Sequence, residues 1–132
     1  MLNFIHNASP TSGAFAIFLD EKQNFVDKNK YLNKIEFEKL RSFIKINKQK
    51  KIESIRTFDV NERLKCFLIK IDEKNVGNTL EDLGGQFFTH VKNFKNISKL
   101  DLHLDTLKSE KNDIVKLGVK FIHGFNLKSY VF

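Results

Sequence analysis

A chain of 132 residues with 41% apolar residues suffices for one domain with one core and is too apolar to stay disordered. Its single cysteine rules out a disulfide framework, and no apolar run reaches the ~20 residues of a membrane span. The 23 lysines and arginines against 16 acidic residues give a formal charge of +7, which invites a nucleic-acid reading. Against that reading, only Arg41, Arg56 and Arg63 supply the bidentate fork used on bases and phosphates, and the lysines are spread along the whole chain. Many Lys, Asn, Ile and Phe together fit an A/T-biased genome. No basic stretch precedes an apolar segment at the N-terminus, so no signal peptide is read, and a soluble protein in a reducing cytoplasm is expected.

LNFIH (2–6) predicts a short first strand, and NASPTSG (7–13) is a turn cluster. GAFAIFL (13–19) is almost continuously apolar, the pattern of a strand covered on both faces. DEKQNFVDKNK (20–30) reads as a loop. In KYLNKIEFEKLRSFIKINK (30–48) the period changes: Leu32, Ile35, Leu40, Phe43 and Ile44 follow helical steps, with Phe37 off the stripe. The basic run KINKQKK (45–51) suits the negative end of that helix, a phosphate-contacting patch being the alternative. KIESIRTFDV (51–60) predicts a strand from Ile52, Ile55 and Phe58, VNER (60–63) a turn, LKCFLIKI (64–71) a buried strand and DEKNVGN (72–78) a loop.

TLEDLGGQFFTHVKNF (79–94) reads as a helix with Thr79 as cap and Glu81 and Asp82 in the positive first turn. Leu80, Leu83, Phe87, Val91 and Phe94 form its stripe. Gly84 and Gly85 each cost roughly 1 kcal/mol against alanine inside a helix, so close packing on a sheet is expected there. KLDLHLD (99–105) alternates strictly, with Leu100, Leu102 and Leu104 on one face and Asp101, His103 and Asp105 on the other. NDIVKLGVKFIHGFNLKSYVF (112–132) carries the helical stripe Ile114, Leu117, Gly118, Phe121, Ile122 and Phe125, with Asn112 or Asp113 as cap. The order β-β-α-β-β-α-β-α predicts an α/β fold, a mixed sheet with helices on both faces.

Asp101, His103 and Asp105 are the most ligand-like trio, since their types hold divalent cations. A polar sheet face or edge explains the same pattern. His6, His90 and His123 stand without a Cys, Asp or Glu partner at ligand spacing and read as structural or solvated. Cys66 lies mid-strand, a poor place for a nucleophile. GNTLEDLGG matches neither GxGxxG nor GxxxxGK[ST], and Glu81 and Asp82 repel phosphate. No catalytic, cofactor-binding or metal-binding residue is therefore assigned.

The chain closes on HGFNLKSYVF with apolar Tyr130, Val131 and Phe132, where a polar tail is usual. A docked last element, or a chain cut from something longer, is expected. The succession LEDLGGQFF, a strand like KLDLHLD, then HGFNLKSYVF resembles the N-terminal domain of the cytosolic leucyl aminopeptidase family. Leu83-Gly84-Gly85 matches its small-residue pair, and Gly124, Leu127, Ser129, Tyr130 and Phe132 match its closing motif. Lys128 and Val131 stand where arginine is frequent, and Phe125 is bulkier than the usual alanine. The resemblance implies a macrodomain-like mixed sheet, with residues 1–132 as one non-catalytic accessory domain. It also implies a following peptidase domain, absent from this sequence, with two divalent metal ions (zinc or manganese). The parent would be a cytoplasmic, homohexameric metallopeptidase removing N-terminal residues such as leucine from peptides. Packing on the catalytic domain and supporting the oligomer would be this domain's work, with an apolar patch exposed around Tyr130, Val131 and Phe132. Two other readings stand beside it: a nucleic-acid binder, and a stand-alone domain binding a nucleotide of the ADP-ribose type, the latter by fold analogy alone.

Overall fold

Six apolar residues in a row, Ala14–Leu19, form the central strand of the sheet, and all six are buried. A strand with no polar face needs cover on both sides. The computed structural model describes residues 2–5, 13–19, 32–47, 55–71, 78–94, 100–107 and 114–131. Within them the elements are β1 (Leu2–Ile5), β2 (Ala14–Leu19), α1 (Lys34–Asn47), β3 (Ile55–Asp59), β4 (Lys65–Lys70), α2 (Asn78–Val91), β5 (Leu100–His103), a 3-10 turn (Leu104–Thr106) and α3 (Ile114–Val131). The expected order and the mixed α/β sheet are both present. The five strands run β1-β5-β2-β4-β3 across the sheet. The β1–β5, β5–β2 and β2–β4 pairs are parallel, with Leu2 opposite Leu100, Phe15 opposite Asp101 and Ala14 opposite Lys65. Only β3 is antiparallel, Ile55 facing Ile69 of β4.

Alternation along the strands divides the core in two. Ala14, Ala16, Phe18, Phe67, Ile69, Leu100 and Leu102 face α2 and α3, which contribute Leu80, Leu83, Phe87, Leu117, Phe121 and Phe125. Phe15, Ile17, Leu19, Cys66 and Leu68 face α1, which contributes Leu40 and Ile44. Each such Leu, Ile or Phe side chain stabilises the fold by roughly 1.5–3 kcal/mol on burial. No helix among the described residues is long and apolar enough to cross a membrane.

Several local expectations change. In α1 the buried stripe includes Phe37, half-buried on the core, whereas Ile35 is 69% exposed. The start of α1 is a capping box: Glu36 N–H donates to Asn33 Oδ1 at 2.8 Å, and Asn33 N–H donates to Glu36 Oε1 at 3.1 Å. The α2 helix begins at Asn78, so Thr79 lies within its first turn rather than at the cap. The proposed cap at Asn112 or Asp113, residues 51–54 of the third strand and His6 lie outside the described residues.

The glycines of α2 answer to a helix, not to the sheet. A Cβ on Gly84 would overlap the Phe121 carbonyl oxygen and stand 2.9 Å from the Phe125 amide nitrogen. A Cβ on Gly124 would overlap the Glu81 carbonyl oxygen and stand 2.6 Å from its carbon. α2 and α3 thus cross backbone against backbone at these two positions. Gly85, next in sequence, meets only ordinary contacts, the nearest being Gly124 O at 3.6 Å.

Candidate functional site

The parallel strands β1, β5, β2 and β4 all end at one edge of the sheet, at Ile5, His103, Leu19 and Lys70. From β2 the chain passes to α1 on one face; from its neighbour β5 it passes to α3 on the other. Adjacent strands whose connections leave to opposite faces open a crevice at their carboxyl ends, the place where open α/β sheets bind ligands. The β2–β5 junction is the switch point of this sheet.

Three buried polar side chains gather around it. Asp101 and His103 are both 0% exposed and Thr106 is 4% exposed. Asp101 and His103 share the α1-side face of β5 with the β2 residue Phe15, whose ring meets the His103 ring edge-on at 5.6 Å. At the end of the junction Thr106 Oγ1 accepts the Phe18 N–H at 2.9 Å and donates to the His103 carbonyl at 2.6 Å. The 3-10 turn carrying Thr106 lies beside the start of α3: a Cβ on Gly118 would sit 3.6 Å from Leu104 and 3.9 Å from Leu107. The first turn of α3 holds no acidic residue, whereas that of α2 holds Glu81. Asp113 directly precedes α3 in the sequence, so an acidic residue lies at or next to the start of both helices.

The trio Asp101, His103 and Asp105 does not form a continuous face, because β5 stops at His103 and residue 105 belongs to the 3-10 turn. Among the described residues no group of three His, Cys, Asp or Glu is placed to hold a metal ion. Thr106 was not legible as a site residue; a threonine three places after a strand end carries no signal until its partner, 88 residues away, is known. Of the other described histidines, His90 is tied into packing and His123 lies on the surface. His90 Nε2 lies 2.8 Å from Thr57 Oγ1 on β3, and its ring meets that of Phe67 edge-on. His123 is exposed and stands 3.7 Å from Glu81, a partner across the α2–α3 crossing.

Cys66 is fully buried in β4, and burial pushes its thiol far above the usual range. It is expected to resist a thiol reagent such as DTNB in the native protein and to react after unfolding. The unfolded thiol, with an ordinary pKa of 9.0, ionises first. Stability is therefore present below pH about 9 and falls above it, a slope of up to ~1.4 kcal/mol per pH unit that Cys66→Ala should remove.

Two grooves lie away from the carboxyl edge. One of about 560 Å³ runs between α2 and α3 over Gly85 and Gly124, and one of about 660 Å³ runs between α1 and β3 over Phe43 and Phe58. Both are open to solvent on the outer flanks of the helices, and neither receives the carboxyl end of a parallel strand.

The fold is similar to that of a solved structure, the macrodomain of Thermus aquaticus DarG. The TM-score is 0.64 over 96% of this chain and 91% of that one, at 9% sequence identity. No family model and no curated protein matches the sequence. The fold is thus macrodomain-like, as expected. The leucyl aminopeptidase resemblance is corrected: the similarity found is to a macrodomain, and nothing found supports the peptidase family or a peptidase-accessory function. The reason is physical. Gly84 and Gly124 are small because two helices cross there backbone to backbone, so the motif reports a packing need that unrelated families share. The paired metals and the hexamer rested on that resemblance and are not carried further.

Proposed function

We propose that the protein is a binding domain for a nucleotide of the ADP-ribose type, held at the carboxyl ends of β2 and β5. The observation that carries the reading is the switch point between these strands, in a fold shared with a macrodomain. Doubly wound sheets bind dinucleotide-like ligands across that crevice, with the diphosphate toward a helix N-terminus. The buried polar side chains Asp101, His103 and Thr106, on β5 and the turn after it, supply hydrogen-bonding groups next to that crevice. The role is binding; no bond-breaking step is assigned to any residue. A reducing cytoplasm belongs to the same proposal, supported by the lone buried thiol of Cys66.

Calorimetry with ADP-ribose is expected to show saturable one-to-one binding. Ligand at 100 times its Kd should raise stability by about 2.7 kcal/mol, read as a higher Tm. Absence of heat and of any Tm shift at millimolar ligand would overturn the reading.

A further inference from the structure

In a parallel ladder each bonding residue donates its N–H to the residue preceding its opposite number. The β2–β5 register sets Phe15 opposite Asp101 and Ala16 opposite Leu102. Carried two residues further, it aims the Phe18 N–H at the His103 carbonyl. The paired register of β2 and β5 stops before it, at Ala16 opposite Leu102. Instead the Phe18 N–H donates to Thr106 Oγ1 at 2.9 Å, and the same hydroxyl donates to the His103 carbonyl at 2.6 Å. One hydroxyl thus bonds the backbone of both strands where their paired register has ended. Pairing of β5 ends at this point, and the 3-10 turn begins.

We infer that Thr106 is a positioning residue, whose hydroxyl bridges the ends of β2 and β5 and sets the mouth of the ligand crevice. The inference rests on the reading given under Proposed function. Valine has the shape of threonine but neither donates nor accepts. In Thr106→Val the Phe18 amide and the His103 carbonyl must close on each other or lose their partners, and either change reshapes the mouth. Serine keeps both bonds.

The test is calorimetry with ADP-ribose on the wild type, Thr106→Ser and Thr106→Val, at a temperature where circular dichroism shows each one folded. Thr106→Ser should stay within about 3-fold of the wild-type Kd, and Thr106→Val should bind at least about 10-fold more weakly. A purely structural role would lower the Tm of Thr106→Val and leave its Kd unchanged, which would overturn the inference. Should Thr106→Val not fold, the wild type decides. Its Phe18 amide signal should shift and exchange more slowly with saturating ADP-ribose; an unmoved signal overturns the inference. No binding by the wild type overturns the functional reading and this inference together, whereas wild-type binding with an equal Kd for Thr106→Val overturns this inference alone.

Discussion

Gly84→Ala and Gly124→Ala are each expected to destabilise the domain by ~3 kcal/mol in urea unfolding, an overpacking effect. The added methyl has nowhere to go. At Gly84 it overlaps the Phe121 carbonyl oxygen, and at Gly124 the Glu81 carbonyl oxygen. Backbone atoms cannot rotate aside as side chains do, so α2 and α3 must separate. Separation opens the layer of Phe87, Phe121 and Phe125 beneath them, whose rings meet at 5.7 and 5.9 Å. Gly85→Ala is the control. Its methyl meets only contacts of 3.6 Å or more, and alanine is the better helix former by about 1 kcal/mol. It should leave stability unchanged or raise it. Equal losses at Gly84 and Gly85 would contradict the crossing described above, because one substitution clashes and the other does not.

Phe67→Ala is expected to cost about 4 kcal/mol, the range for emptying a buried aromatic site. Phe67 sits on β4, 0% exposed, and faces the rings of Phe87 at 5.6 Å, His90 at 5.7 Å and Phe94 at 5.5 Å. Its removal therefore leaves a cavity and strips three ring contacts at once. Phe67→Leu fills most of the volume and should cost only ~1.5 kcal/mol or less. Both values come from denaturant midpoints at constant slope. A loss under ~2 kcal/mol for Phe67→Ala would show that the site collapses and that α2 is not held by this cluster.

The two effects mark which features could be read before folding. Apolar runs and hydrophobic period placed the strands and helices of the described residues, because burial on one or both faces dictates them: GAFAIFL had to lie inside a sheet, and LKCFLIKI beside it. The capping box at Asn33 and Glu36 was also present as an N-x-x-E pattern just before the helix. The partner of Gly84 was not legible. Two glycines in a helix announce a close approach without naming what approaches, and here it is α3. The motif that pointed to a peptidase family was that same packing need. The alternation of KLDLHLD extended the strand through Asp105, but the structure ends it at His103, where Thr106 supplies the next bond from three residues away. A switch point is a property of strand order, and strand order appears only when distant segments meet.

The most direct test of the central claim is an amide-shift map of the isotope-labelled protein titrated with ADP-ribose. The account predicts saturable shifts at the carboxyl edge, on Phe18, Leu19, His103, Thr106 and the first turn of α3. Shifts confined to the α1–β3 groove around Ser42 and Phe58, or to the α2–α3 groove around Gln86 and Leu127, or none at all, would contradict it.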